Sequence, residues 1–430
     1  MLGDGNCVSV LTGHQDRVRA ITVSPCGECL YSGADDNCII KWDAASGQQL
    51  LGFRGHTDVI WALTLSQDGR TLYSGSADCT VRAWDTLSGE CTHIVSEQRG
   101  WVRALAVSPT PRAAADASQQ EGLDISENLF TASLSWFIEA RTTHDNQVLH
   151  RIPSGVGRLD LIHTLVVSNG GRMLYAGGTG CIIRGWDTES GECAQLLKGH
   201  SDTVFSIVLA PVEDEERLWS ASADNTIRAW RLLDCQCLQV IRTAGVVHSL
   251  CLGSDRCSIF TAPYHSGDIA VWSLCPRVGL IRSRSNCEDD SDFAPTEVLK
   301  GHDPAEGVHS LTFSSQSGQL FSAGGDCTIR AWQVGLPSRW TKLTHQNFPR
   351  RFRNMVRTVL MAAHSCQKSP FGTSQSKPSG TKSGLMAEPG CGSLNLLRRI
   401  HDLEPCLLDA VLQHLSASMY LTAGHRTGHC

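Results

Sequence analysis

The sequence predicts an all-β fold, seven blades closed into a propeller, with a small helical extension at the C-terminus. Two observations carry this reading. The first is a recurring landmark, Gly-His followed roughly thirty residues later by tryptophan. It appears as Gly13-His14 with Trp42-Asp43, Gly55-His56 with Trp84-Asp85, Gly199-His200 with Trp230 and Gly301-His302 with Trp332. Trp42 and Trp84 stand 42 residues apart, and Trp186, Trp230 and Trp272 step by 44 and then 42. A period in that range belongs to one supersecondary unit that stacks on its neighbours to bury a continuous core. The second observation is period-two alternation within each unit, as half-buried strands require. Residues 71–78 form one strand ending in a tight turn, residues 79–84 the next, and Leu87-Ser88-Gly89 turns the chain again.

Taken in order, residues 6–11 read as an outer strand standing ahead of Gly13-His14. Units one and two carry every landmark. The third has Leu129-Phe-Thr-Ala-Ser133 followed by Trp136-Phe-Ile-Glu-Ala140, with Arg141 where tryptophan falls elsewhere. The fourth ends at Trp186, the fifth at Trp230, the sixth at Trp272 and the seventh at Trp332. Seven four-stranded units around an axis leave only short, protected edges. Because the seventh stops at its Trp strand, the N-terminal strand is expected to complete it and remove an exposed sheet edge. Insertions at 109–127 and 276–295, the latter containing Cys287-Glu-Asp-Asp-Ser-Asp292, are expected in loops on the face opposite the Gly-His loops. The propeller is assigned to residues 1–335, an amphipathic helical segment to 336–364, a flexible linker to 365–393 and a second helical segment to 394–430.

Composition narrows the function classes. Hydrophobic residues make up 41% of the 430, and no run approaches the length of a membrane-spanning helix, so no membrane insertion is expected. The start lacks a basic and an apolar secretory region, and no Asn-x-Ser/Thr acceptor occurs. A cytoplasmic protein is expected, with a nuclear location also open. Residues 336–430 hold 12 Lys/Arg against 4 Asp/Glu, leaving 25 basic and 39 acidic residues for the rest. An acidic propeller is a poor general binder of phosphate backbones, so no nucleic-acid partner is expected. Of the 19 cysteines, Cys79, Cys181 and Cys327 share one repeat position, and Cys91 and Cys193 another. Recurrence in register marks packing choices for a small hydrophobe rather than disulfides. Cys235-x-Cys237 has no second pair at zinc spacing, so neither a metal nor another cofactor is expected.

These landmarks resemble the WD-repeat family over about residues 6–334. In that family the histidine, a strand serine or threonine, the turn aspartate and the tryptophan form a buried hydrogen-bond relay. Carried over by position, the resemblance implies His14, Ser32, Asp36 and Trp42 in the first blade and His56, Ser74, Asp78 and Trp84 in the second. It implies His200, Ser220, Asp224 and Trp230 in the fifth, then His302, Ser322, Asp326 and Trp332 in the last. A buried indole N–H is donor-only and needs an acceptor, which suits the assignment. The His/Ser/Asp grouping looks like a hydrolase triad, but four copies in register are structural repetition. No Gly-x-Ser-x-Gly elbow, Walker loop or His-Glu-x-x-His motif is present. No enzymatic activity is expected. Blades three, four and six lack the full relay.

On the Gly-His face, two positions per repeat flank the start of the innermost strand and ring the central channel. They hold Arg17 and Arg19, Val59 and Trp61, Trp101 and Arg103, Leu161 and His163, Thr203 and Phe205, Val246 and His248, Gly307 and His309. Tryptophan and arginine at positions expected to be wet have the composition of binding hot spots. Arg17, Arg19, Trp61, Trp101, Arg103, His163, Phe205, His248 and His309 are therefore the candidate partner-binding residues. The three histidines are expected to add pH sensitivity.

In the tail, Phe352, Met355, Val356, Val359 and Leu360 recur at helical spacing within residues 348–364. Phe352-x-x-Met355-Val356-Arg357-x-x-Leu360 resembles the first helix of a SOCS box, Leu-x-x-Leu-Cys-Arg-x-x-Ile. Leu403-Glu-Pro-Cys-Leu-Leu408 loosely resembles its second element, or the Leu-Pro-x-x-Leu-Leu of an F-box. Val356 departs from the family cysteine, and the proline spacing and long linker depart as well. Two functions follow. One is a non-catalytic scaffold binding partner peptides or proteins on the propeller face. The alternative is a substrate receptor of a cullin-type ubiquitin ligase, recruiting adaptor subunits through the C-terminal helices.

Overall fold

The computed structural model describes residues 7–334 except 97, 109–126, 135–136, 144–145, 154–160, 213–214, 254–257, 265 and 274–293. Most of both insertions and all of 336–430, including Phe352, Met355, Val356, Val359 and Leu360, lie outside the described residues.

Among the described residues, 28 strands form seven four-stranded antiparallel sheets. Blade two is representative: Ile60–Leu65 innermost, then Thr71–Ser76, Val81–Asp85 and Cys91–Val95 outermost. Each inner strand touches the inner strand of the next blade, and Val308–Ser314 of blade seven returns to Val18–Val23 of blade one. The ring is closed. A hydrogen-bonded ladder closes it, because Cys7–Thr12 pairs antiparallel with Thr328–Gln333, Cys7 opposite Trp332 and Thr12 opposite Thr328. The two ends of the domain thus share one sheet, and the edge that blade seven would otherwise expose is paired.

The burial pattern follows from stacking sheets on both faces. Second strands such as Thr71–Ser76 are buried from their second residue onward, while outer strands such as Gln49–Arg54 are mostly exposed. A strand covered on both faces by neighbouring blades has no wet side to carry polar residues. Where the next blade packs closest, the second strand holds glycine: a Cβ on Gly75 would lie 2.6 Å from Val102 of blade three. Trp42, Trp84, Trp230 and Trp332 are the largest fully enclosed side chains, and each removes on the order of 150–250 Å² from water.

The cysteine reading needs correction. Cys79, Cys181 and Cys327 adopt φ of 63°, 58° and 61°, the left-handed conformation that Asn37 and Asn225 take in other blades at 63° and 61°. They are half-buried turn residues whose Sγ atoms lie 3.6, 3.4 and 3.8 Å from the carbonyl oxygen two residues earlier. A half-buried left-handed turn that asparagine also occupies, not a core position, is what these cysteines share.

Candidate protein-interaction face

Four blades contain the relay with closely matching geometry. The indole N–H of Trp42, Trp84, Trp230 and Trp332 donates over 2.8 Å to Ser32, Ser74, Ser220 and Ser322. Each serine hydroxyl lies 2.7, 2.6, 2.7 and 2.7 Å from Nε2 of His14, His56, His200 and His302. Nδ1 of these histidines meets Asp36, Asp78, Asp224 and Asp326 at 2.8, 2.7, 2.8 and 3.0 Å. The backbone N–H after the histidine also donates to the aspartate, as Thr57 does to Asp78 at 3.1 Å. The relay therefore pins the Gly-His loop to the body of its blade. Burial by itself would raise the Asp78 carboxyl, but hydrogen bonds from His56 and Thr80 outweigh it. Asp78, Asp224 and Asp326 are all held well below the usual carboxylate range. The four serines are fully buried, so the hydroxyl that a triad would use as nucleophile cannot meet a substrate.

Blade three substitutes a different network that sequence reasoning missed. Arg141 stands opposite Leu129, as Trp84 stands opposite Leu72. Its guanidinium donates to Glu139 through Nη2 at 2.7 Å and Nε at 3.2 Å. Gln98 donates to the same carboxylate at 2.9 Å and Arg151 at 3.0 Å. Gln98, Glu139 and Arg141 are all buried. Burial pushes the Glu139 carboxyl up, but the Arg141 bonds and charge prevail and hold it below its ordinary value. The missed signal was the period-two spacing of Glu139 and Arg141, which puts them on one face of one strand. In blade six, Trp272 donates to Thr261 at 2.9 Å, while Thr243 turns its hydroxyl onto Gly245 at 2.7 Å.

The channel mouth is built by a repeated backbone device. Every pairing of an inner strand with its neighbour slips register after the first pair, leaving one extra residue. Those bulge residues are Arg19, Trp61, Arg103, His163, Phe205, His248 and His309, one per blade. A bulge re-aims a side chain out of the pleat, and here each meets its neighbours around the ring. Arg19 and Arg103 lie over Trp61, 5.1 and 4.1 Å from its ring centroid. Arg103 Nη1 is 3.2 Å from His163 Nδ1. Ring centroids then run 5.1 Å from His163 to Phe205, 4.7 Å to His248 and 5.9 Å to His309. Arg19 Nη1 completes the belt at 3.5 Å from His309 Nε2.

This belt revises the expectation that the whole ring is wet. Trp101, 46% exposed, and the Arg17 side chain, 47% exposed, stand out into solvent. The bulge residues are half-buried, and His309 is buried. Trp61 Nε1, Arg103 Nε and His309 Nδ1 are enclosed without a hydrogen-bond partner among the described residues. The expected pH sensitivity is also corrected. Burial, reinforced by neighbouring Arg103 and Arg19 charges, lowers His163 and His248 to about 4 and His309 to about 3. These histidines are neutral near pH 7. No group of three or more His, Cys, Asp or Glu among the described residues is placed to hold a metal ion.

The comparisons with known proteins agree with this geometry. The family described as "WD domain, G-beta repeat" matches residues 5–43, 47–85, 191–231 and 293–333, which are the stretches holding the four complete relays. Among similar proteins, the periodic tryptophan protein 2 homolog of Dictyostelium discoideum is 26% identical over 175 residues, 40% of this chain and 17% of that protein. Human striatin is 27% identical over 216 residues, 40% of this chain and 27% of its own. The small ribosomal subunit protein RACK1y of Oryza sativa is 24% identical over 152 residues, 35% of this chain and 41% of its own. The matched part spans less than half the length of each relative. With four matched repeats and a closed ring of seven four-stranded blades, this chain is a WD-repeat β-propeller protein.

Proposed function

We propose that the chain is a non-catalytic interaction platform whose Gly-His face receives a segment of a partner protein. The observation that carries this reading is the belt itself. Seven bulges converge arginine, tryptophan, phenylalanine and histidine on one mouth, beside exposed Trp101 and Arg17. Tryptophan and arginine are the residue types that dominate interface energetics. Free thiols at Cys29, Cys38, Cys79 and Cys91 favour a reducing compartment such as the cytoplasm. The test is proximity labelling in cells with the wild-type chain and a variant carrying alanine at Arg19, Trp61, Trp101 and Arg103. Loss of a defined set of labelled proteins is expected. Identical labelling by both, with the variant folded, overturns the reading.

A further inference from the structure

We infer that the channel mouth receives a single carboxylate, an Asp or Glu side chain of a partner segment, against the guanidinium of Arg103. This rests on the face reading above and names the chemistry of its ligand. The three arginines among the ring positions, Arg17, Arg19 and Arg103, differ in their pairing. Arg17 is neutralised by Glu306, 2.9 Å away. Arg19 is neutralised by Asp35 through two parallel bonds of 2.8 and 2.6 Å. Arg103 has no carboxylate within ion-pair reach among the described residues; its contacts are the Trp61 ring and His163. Its surroundings feel that lack, since burial and the Arg19 charge together push its pKa down.

A half-buried cation without a counter-charge is an unstable arrangement by itself. Arg103 Nε and Trp61 Nε1 are themselves enclosed and have no hydrogen-bond acceptor among the described residues. A half-buried guanidinium whose neighbours are an indole ring and a neutral imidazole is a receptor for an acceptor-rich anion at its remaining N–H groups, and a carboxylate offers about four lone-pair sites in a planar fork. The number of charges selects among anions. His163, His248 and His309 are neutral at this mouth, so one positive charge awaits compensation. A carboxylate matches it, whereas a phosphoryl group carrying about −1.5 to −2 would be buried with half its charge unpaired.

The experiment uses full-length protein and a random-peptide display library as the probe. Selected peptides are synthesised with their acidic residue as Glu, Gln or phosphoserine. Affinity is measured for the wild type, Arg103→Gln, the already paired Arg17→Gln and Trp101→Ala, each checked for folding by thermal unfolding. The expected result is a shared Asp or Glu whose change to Gln weakens binding about tenfold or more on the wild type. On Arg103→Gln the same change should matter little, because coupled partners are non-additive. Phosphoserine should bind no better than Glu. Peptides without a common acid, equal Glu-to-Gln losses on both proteins, or a clear preference for phosphoserine each overturn the carboxylate inference. If such peptides still need Trp101, the face reading survives. Peptides indifferent to Trp101→Ala and Arg103→Gln alike, or a library that yields no binder, sink both. Should Arg103→Gln fail to fold, Arg103→Lys keeps the charge without the fork, and a Glu-to-Gln loss under threefold on the wild type is then decisive against the inference.

Discussion

Arg103 lies over Trp61 with its guanidinium carbon 4.1 Å from the ring centroid, both residues occupying the bulge of adjacent inner strands. With Arg19 at 5.1 Å, one indole meets two like charges, and cation–π attraction offsets part of their repulsion. Trp61 is therefore the centre of the belt rather than one member among seven.

Replacing Trp61 with alanine should release the Arg103 guanidinium into a wider, wetter mouth while Asp35 keeps hold of Arg19. The expected outcome is a partner affinity weaker by about 2 kcal/mol or more, against a small fall in melting temperature. Calorimetric titration of a captured partner, with thermal unfolding in parallel, separates the two effects. A large stability loss with unchanged affinity of the folded fraction would show that Trp61 is purely architectural.

The relay predicts the opposite pattern. Trp84→Phe keeps a large ring but removes the donor that reaches Ser74 over 2.8 Å. Leaving a buried hydroxyl under-satisfied should cost about 1–3 kcal/mol of stability. Asp78→Ala, which strands His56, should act in the same direction. Chemical denaturation reads the loss, and affinity on the folded fraction should stay within about twofold of wild type. Both substitutions lie in blade two, whose Trp61 provides an internal control.

The relay was legible through the WD-repeat resemblance, which places its four residue types at fixed offsets, and the need of a buried indole N–H for an acceptor suits that placement. Blade closure was legible from a seventh repeat that stops at Trp332 while a strand-like segment precedes Gly13. The belt positions were legible as a list, but not as a contact ring. A bulge adds one residue without changing residue type, so Val18-Arg19-Ala20 reads as ordinary alternation. Exposure was misjudged for the same reason, since a re-aimed side chain meets its counterparts from neighbouring blades. The Glu139–Arg141 pair was half-visible: Arg141 stood out as a missing tryptophan, but its partner depended on knowing which strand face was buried.

That pair gives a third prediction. Arg141→Met removes the cation that holds Glu139 at 2.7 Å, leaving a buried carboxylate with Gln98 and the more exposed Arg151. Breaking a buried pair from one side typically costs about 3–5 kcal/mol. The double replacement Glu139→Met with Arg141→Met removes both charges and should recover most of that loss, because well-packed apolar substitutes often match a buried pair. Denaturant midpoints of the single and double variants decide it. A double variant as weak as Arg141→Met would mean that the geometry of the network, not charge pairing, holds blade three.

The last prediction concerns pH. The belt histidines have folded-state values of about 4, 4 and 3, below the unfolded value of about 6.5. The unfolded chain therefore binds more protons below that value, and stability rises with pH across the window. Their contribution is fully present above about 6.5 and is lost as pH falls toward 4. The relay aspartates are also depressed, so their contribution persists to lower pH and is lost only as pH falls below about 4. Melting temperature should thus be level with respect to these groups from pH 7 to 8 and decline from 6.5 to 4. It should decline further below 4. His309→Asn removes one of the three histidine contributions and should flatten the first decline without altering the second. Imidazole proton resonances of His163 and His248 that titrate between pH 6 and 7 would contradict the neutral belt, and with it the count of one uncompensated charge at the mouth.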